Sequence, residues 1–479
     1  MTSHTATARI AAFGHRLRDE PLPDSVREFA KLHLLDAIGV ALAASSLSTR
    51  ARIERAVSIM GKAQESTALG CAETFPAPAA ALLNGSLIHA LEFDDTHMGA
   101  VVHASAVVAP TALALAEREQ CSGDDLLKAF TLGWEVLARA GQASASGFHA
   151  RGFQSTAVLG APVAAAVAAW LMQLDDDRMI NAMGIAGSQA SGIFEFISDG
   201  TTVKMLHGGW PAHAGIMAAA LAKEGLSGPA TVFEGDKGLY RAFTDDEHAG
   251  QRFRRSLDDL GQRWLLPEVA FKAYPCCHYI QGAIQALQSI LADGVSAAQI
   301  ERIDCQLPQE VAWLVCEPWN EKLTPPSGHV AKFSLPYCLA ALLVDGCVDV
   351  ATFDRHAADP RLTAAMQGIH FQAMTQSDFP RRYSASVQVH TRDQVFTAQV
   401  LDVHGSTNSP FSRDEVLAKF RDNAARSLSK QAVARVIDCM DDLHDTATLT
   451  ELSLTLRDIA PVRSGKITDL ETPAAQGAS

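Results

Sequence analysis

Acidic and histidine side chains are concentrated in one short stretch, HALEFDDTH at residues 89–97, which is followed by His103. Three carboxylates and three histidines lie within these fifteen positions. Histidine titrates near neutral pH and is the usual general base, and a neighbouring carboxylate can orient it and fix its tautomer. The stretch therefore indicates proton-transfer chemistry, although a capped turn with solvated acids would have the same composition. It has no HExxH or comparable spacing and no cysteine nearby, so we expect no metal.

Two further stretches supply cations. In GTTVKMLHGG, residues 200–209, Lys204 and His207 are three apart and would share a face of a helical turn. In FKAYPCCHY, residues 271–279, Lys272 and His278 flank two adjacent cysteines that lack the spacing of zinc or iron-sulfur ligands. Such cations can hold carboxylates and stabilise the charge of an enolate. His149 is another candidate, although an isolated histidine is more often packed or capping.

Helices must position these groups. Alanine-rich segments with apolar residues at three- and four-residue steps run from residue 25 to about 265, most clearly at 26–44, 79–90, 124–140 and 211–223. Pro211 suits the first turn of the last segment, and Gly208 and Gly209 permit close approach of a neighbour or ligand. The uncharged run 152–174 is long enough to cross a bilayer, but its alanine content and polar interruptions predict a buried helix.

The pattern changes after residue 267. Alternation at 303–307, 386–391 and 395–401 predicts strands, the last two joined around Arg392-Asp393, and Ser412 with Glu415 forms a capping box for terminal helices. We predict a mainly α fold with a smaller α+β domain inserted between helical segments. The predicted divisions are a helical domain at 1–265, the α+β domain at 266–408, helices at 409–462 that pack on the first domain, and a mobile tail at 463–479.

Composition limits the partners. The formal net charge of -14 and the pI of about 5.6 disfavour nucleic acid and anionic membrane surfaces, and an anionic substrate would need a local basic island. Nine cysteines without metal spacing, and a beginning without a basic region followed by an apolar one, favour a reduced, cytoplasmic protein.

Five motifs together resemble the MmgE/PrpD family: HALEFDDTH with His103 and Ser105, GFHARGFQSTAVLG, GTTVKMLHGGWPAHAGIMAAALAKEGLSGP, FKAYPCCHY, and AKFSLPY at 331–337. They occur in family order, and the resemblance runs from about residue 30 to 440. It implies a helical domain with an α+β lid, an active site between the two, no metal or organic cofactor, and a homodimer.

The resemblance also implies roles for individual residues. Glu92, Thr96, His103 and His149 fall on its catalytic positions, and Lys204, Lys272 and His278 on its substrate-binding positions; the residue pattern adds Asp94 as a group that orients a histidine and His207 as a binding residue. We expect His103 to be the base and His149 to protonate a leaving hydroxide. Glu92 stands where aspartate is commoner in the family.

The family includes 2-methylcitrate dehydratases, cis-aconitate decarboxylases and iminodisuccinate epimerases. The expected function is therefore a cofactor-independent hydro-lyase acting on a small di- or tricarboxylate by proton abstraction next to a carboxylate. An epimerase and a decarboxylase are the alternatives among enzymes, and a catalytically inactive scaffold is the alternative of another class.

Overall fold

The computed structural model describes residues 4–354 and 359–459, so the tail predicted at 463–479 lies outside the described residues. Helices dominate the first part of the chain: α1 Ala6–Asp19, α2 Asp24–Ala44, α3 Ser48–Val57, α4 Ala77–Ala90, α5 Ser105–Arg118, α6 Gly123–Gln142, α7 Gly147–Ala150, α8 Ser155–Leu171, α9 Asp176–Gly187, α10 Phe196–Asp199, α11 Leu206–Lys223, α12 Leu239–Phe243 and α13 Ala249–Ser256, with the short strands β1 Ser66–Thr67 and β2 Thr74–Phe75.

The rest of the described chain mixes helices and strands. Its helices are α14 His278–Ala292, α15 Gln309–Val315, α16 Trp319–Lys322, α17 Gly328–Ala331, α18 Leu335–Asp345, α19 Pro360–Gln367, α20 Arg413–Ala424, α21 Lys430–Asp441 and α22 Thr446–Leu456; its strands are β3 Ile300–Pro308, β4 Ile369–Met374, β5 Ala385–Thr391 and β6 Val395–Val400. We call α1–α13 with α20–α22 the body, and the elements from α14 to β6 the lid. The predicted mainly α fold with a smaller α+β part is confirmed, whereas the domain boundaries stay a prediction.

The body is a bundle of alanine-rich helices that pack at short distance. A Cβ atom at Gly209 of α11 would lie 2.1 Å from the carbonyl oxygen of Leu82 in α4, and one at Gly208 would lie 2.7 Å from that of Gly85. The glycine pair therefore admits a neighbouring helix at backbone contact. Every residue of α8 is buried, so the buried helix predicted within 152–174 is confirmed.

Pro211 does not lie in a first helical turn, so this prediction is wrong. Helix α11 begins at Leu206 and continues through the glycine pair, which places Pro211 inside the helix. Proline there removes one backbone hydrogen bond, to the carbonyl of His207, and the helix is held instead by its packing on α4 and α8.

The lid is built on a four-stranded sheet of order β4-β3-β5-β6, in which β3 and β4 are parallel and the other pairs antiparallel. Inward-facing residues such as Cys305, Leu307 and Val387 pack with Ile280 and Leu287 of α14 in a core separate from that of the body. The predicted turn at Arg392-Asp393 lies between β5 and β6, as the alternation indicated.

After the lid the chain returns to the body. The predicted capping box is present: the Ser412 hydroxyl accepts from the Glu415 amide, and the Glu415 carboxylate accepts from the Ser412 amide. Leu417 and Phe420 of α20 join the core of the body, and Phe420 packs over Gly39 of α2.

Helix length and hydropathy bear on a membrane location. In the described ranges, no single helix is both long and apolar enough to cross a membrane. One bent pair, α2 with the segment Ser48–Met60, meets the length and composition test only when its two arms are counted together, and these arms meet at 100°.

The contact between α4 and α11 predicts a stability effect. Gly209→Ala should lower the free energy of unfolding by about 1–3 kcal/mol, because the added methyl group overlaps the Leu82 carbonyl. Gly368→Ala is the control, since its nearest neighbour would be 3.5 Å away. Chemical denaturation measures both, and equal midpoints for the two variants would contradict the backbone contact.

Candidate active site

A cleft lies where the body faces the lid, and it encloses about 590 Å³ of space, part of it open to solvent. Its lining from the body is Glu92, Thr96, Val101, His103, His149, Gln154, Phe194 and Lys204; from the lid and the connection into it come Lys272, Cys277, His278, Tyr279, Trp313, Leu314, Phe333 and Tyr383. Seven of the nine predicted site residues are among them. The other two, Asp94 and His207, are placed differently.

The segment 91–97 leaves the end of α4 and carries the acidic residues inward. Glu92 has a φ of 56°, which turns the chain sharply after α4. Asp94 accepts a hydrogen bond from Nδ1 of His89 at 2.7 Å, and Asp95 accepts from Nδ1 of His33 at 2.8 Å. Both aspartates and both histidines are buried. The capped turn with solvated acids is therefore not what the chain forms, and Asp94 orients a histidine beneath the cleft, although that histidine is His89.

The geometry around His103 fixes its tautomer. Its Nδ1 lies 2.9 Å from the backbone carbonyl oxygen of Asp95, 3.3 Å from the Thr96 hydroxyl and 3.6 Å from the Asp94 carboxylate. A carbonyl oxygen can only accept, so Nδ1 carries the proton and Nε2 keeps its lone pair. Burial lowers the pKa of His103 well below its ordinary value. His103 is thus a neutral imidazole in the form that a general base requires.

Lys204 and Lys272 bring positive charge to the same place. Lys204 forms a hydrogen-bonded ion pair with the Glu92 carboxylate, and both side chains are at least 95% buried. Lys272 donates to the Glu92 carbonyl oxygen at 2.8 Å. Burial alone would raise the pKa of Glu92, but Lys204 and Lys272 outweigh it and lower that pKa. Each ammonium group has further N–H bonds for a ligand.

Two more histidines line the cleft. Nε2 of His149 lies 3.2 Å from the Ser155 hydroxyl, and burial lowers its pKa to about 4. His278 is buried at the start of α14, with its ring edge-on to Tyr383, and neither ring nitrogen has a hydrogen-bond partner among the described residues. Burial lowers its pKa well below the ordinary value. A buried polar group without a partner, facing a cleft, indicates a position for a ligand.

The structure does not bring His207 into the cleft. Lys204 lies in a 3₁₀ turn that leads directly into α11, which holds His207, but the two residues line different pockets. His207 instead packs edge-on against Phe196 and lines a separate surface pocket with Val203 and Trp210.

The sequence did not reveal every residue that the fold brings to the site. Gln154 and Tyr383 line the cleft, and His89 pairs with Asp94 directly behind it. His89 stands in the predicted cluster and Gln154 in a quoted motif, but nothing in the sequence marks Tyr383. It reaches the site because its hydroxyl donates to the carbonyl of Met98 across the boundary between lid and body.

One group of side chains has the spacing of a metal site. His89, Asp94 and His103 offer three ligand atoms within 4.8 Å of one another. Both histidine Nδ1 atoms, however, carry protons that they donate to oxygen, to Asp94 from His89 and to the Asp95 carbonyl from His103. Each ring keeps a lone pair on Nε2 only, and that of His89 accepts a hydrogen bond from the Gln154 amide at 3.3 Å, so these contacts favour proton transfer over metal binding.

Comparison with known proteins identifies the family of this chain. The chain matches the MmgE/PrpD N-terminal domain over residues 8–252 and the MmgE/PrpD C-terminal domain over 274–445. It is 27% identical to the cis-aconitate decarboxylase-like protein oryM of Aspergillus oryzae, over 93% of this chain and 96% of that protein. It is 28% identical to the cis-aconitate decarboxylase of Mus musculus, over 94% of each chain, and 28% identical to that of Homo sapiens, over 94% of this chain and 95% of the human one. The chain belongs to the MmgE/PrpD family.

Proposed function

We propose that this protein is a cofactor-independent lyase that removes carbon dioxide from a small unsaturated tricarboxylate resembling cis-aconitate. The relatives named as cis-aconitate decarboxylases align with more than nine tenths of the chain, which favours decarboxylation over the dehydration ranked first from the sequence. The observation that carries the proposal is His103, a neutral histidine of fixed tautomer in a cleft lined by two buried lysines.

Charge and shape of the cleft suit a polycarboxylate. Lys204 and Lys272 place two ammonium groups in this cleft of a protein of net charge -14, beside the Glu92 carboxylate that pairs with Lys204. The neutral, unpartnered His278 adds a ring N–H. Phe194, Phe333 and other apolar residues line the same space and reduce its contact with water, which strengthens each charged contact. A ligand with carboxylates at two or three positions can engage these cations together, whereas a monocarboxylate cannot.

The chemistry follows from these groups. The bond between carbon and the departing carboxyl group breaks, carbon dioxide leaves, and the electron pair delocalises into the neighbouring alkene and its carboxylate. The two lysines meet that developing charge. A proton then adds to carbon, so that one proton replaces one carbon dioxide. His103 supplies it from Nε2, because the negative charge of a bound polycarboxylate raises the pKa of a nearby histidine.

Two other reactions would use the same side chains. A hydro-lyase needs an acid for the leaving hydroxide, and His149 lies in the cleft with its Nε2 close to Ser155. An epimerase needs a second acid or base on the opposite face of the reacting carbon, for which His278 has two uncommitted nitrogens.

A substrate panel in deuterated water tests the proposal. We expect cis-aconitate to lose carbon dioxide and its product to carry one deuteron on carbon, observed by NMR. His103→Asn should reduce the rate at least about a hundredfold, the usual contribution of a positioned acid or base. His248→Asn, at an exposed histidine on the body surface, is the matched control and should keep the wild-type rate.

The other members of the panel separate the alternatives. Water loss from citrate or 2-methylcitrate without decarboxylation would contradict the proposal and identify a hydro-lyase. Inversion of iminodisuccinate would identify an epimerase. Absence of turnover on all four acids would favour a scaffold. An unchanged rate in His103→Asn would remove this residue from the mechanism.

Binding should also depend on pH. In the free protein burial lowers the pKa of His149 to about 4 and lowers those of His103 and His278, whereas a bound polycarboxylate raises them. Binding therefore takes up protons, and affinity should fall as the pH rises from about 4 to about 7, between the free and bound values. Calorimetry with the saturated tricarboxylate tricarballylate, in buffers of different ionisation enthalpy, measures the uptake. His278→Asn should reduce it, and zero uptake with flat affinity would contradict the account.

We also propose that the protein is a homodimer that uses the face of α11. Trp210 and Met217, seven residues apart on this helix, are 48% and 41% exposed, and Ile193 and Val203 line the same pocket as Trp210. A patch of large apolar side chains on a helix favours burial against a second copy.

Sedimentation velocity tests the dimer. Wild-type protein should sediment as a dimer, and Trp210→Glu should shift it towards monomer because a charge would be buried in the contact. Ile59→Glu, at an exposed apolar residue away from α11, should leave the dimer intact. A monomeric wild type, or equal behaviour of the two variants, would refute this interface.

A further inference from the structure

Three consecutive backbone carbonyls at the end of α4 each accept a hydrogen bond from a different lysine. Lys332 donates to Leu91 at 3.0 Å, Lys272 to Glu92 at 2.8 Å, and Lys419 to Phe93 at 3.0 Å. We call these three lysines the 91–93 clamp. All three ammonium groups lie in the interior, with Lys272 fully buried.

The clamp joins parts of the protein that are distant in sequence. Lys272 lies on the connection into the lid, Lys332 between α17 and α18 of the lid, and Lys419 on α20. The far end of the same segment is also held, since Thr96 and Ala270 exchange two backbone hydrogen bonds of 2.9 Å. The segment 91–97 is therefore fixed at both ends.

Burying three ammonium groups close together costs free energy, because each group loses its hydration. Burial lowers the pKa of Lys332 to about 8 and also lowers that of Lys419. The cost is offset locally: Lys419 pairs with Asp36, and Lys332 lies 5.5 Å from the centre of the Phe353 ring. The end of α4 favours cations as well, because its last carbonyls lack partners within the helix.

The segment held by the clamp also contacts His103 and Lys204, the proposed catalytic histidine and one of the proposed binding lysines. The Asp95 carbonyl fixes the tautomer of His103, and the Glu92 carboxylate positions Lys204. Lys332 and Lys419 do not line the cleft and so do not meet a ligand there. Any shift of the 91–93 carbonyls would move both the base and a substrate-binding cation.

We infer that Lys332 and Lys419 are positioning residues, which hold the segment 91–97 so that His103 and Lys204 face the substrate in register. Lys332 belongs to the lid, so this contact also makes the order of the catalytic segment depend on the lid being seated on the body. The kinetic part of this inference rests on the proposed function, whereas the structural part does not.

Lys332→Met tests the inference. Methionine is close to lysine in size, and the change leaves no buried carboxylate without its cation, since Glu92 keeps Lys204. Hydrogen exchange measured by mass spectrometry should show faster exchange within 91–97. The kcat on an accepted acid should fall about 10- to 100-fold, as for a small displacement of a reacting group, with KM changed much less.

Lys128→Met is the matched control. Lys128 is also a buried lysine that donates to a backbone carbonyl in the last turn of a helix, to Arg18 of α1 at 3.0 Å, but it lies away from the cleft. It should lower the melting temperature in a comparable way without changing exchange in 91–97 or kcat. A second variant, Lys419→Met with Asp36→Asn, removes a buried pair as a whole and should reproduce the effect of Lys332→Met.

The two failures are distinguishable. If wild-type protein turns over none of the four acids, the proposed function fails, and hydrogen exchange alone still decides whether the clamp orders 91–97. Unchanged exchange in this segment in Lys332→Met overturns the clamp. Faster exchange with a wild-type kcat overturns the positioning role. If Lys128→Met shows the same fall in kcat, the effect is a general loss of stability, which also overturns that role.

Discussion

The site depends on which groups donate hydrogen bonds to the backbone carbonyls at the buried end of α4. A helix that ends in the interior leaves carbonyls without partners, and here the next residues also carry three carboxylates into the same volume. Lysines from the connection into the lid, from the lid and from α20 donate to these carbonyls, and Lys204 pairs with the Glu92 carboxylate. Two buried histidines donate to the aspartates. These buried lysines and carboxylates would destabilise the core if they were unpaired, and the same groups line or support the cleft. The fold and the site therefore depend on one network of contacts.

Burial gives each histidine of the site its chemical form. Without a ligand, His103, His149 and His278 are held neutral, because a protonated ring would lack water and face nearby lysines such as Lys204 or Lys272. A polycarboxylate supplies the missing negative charge and makes protonation favourable. In the proposed reaction, the proton needed at carbon is therefore taken up when the substrate binds.

The sequence predicted the fold class and seven of the sixteen residues that line the cleft, and the misses have physical causes. The cluster around Glu92 and His103, the lysine at 272 and His278 could be found because their motifs are local and their residue types are reactive. The partners of the network could not: His33 reaches Asp95 across 62 residues, and Lys419 reaches Phe93 across 326. Such contacts depend on tertiary packing, which leaves no spacing in the sequence. Pro211 was misplaced because α11 starts earlier than its apolar pattern indicates.

The central claim is that the segment 91–97 presents His103 as a neutral base with the proton on Nδ1 and a free lone pair on Nε2. Nitrogen NMR of protein labelled with ¹⁵N-histidine, with the His103 signals assigned by their loss in His103→Asn, measures this directly. The account predicts the Nδ1–H tautomer in the free protein and a protonated ring when tricarballylate is bound. A proton on Nε2 in the free protein, or a ring that does not change on binding, would contradict it.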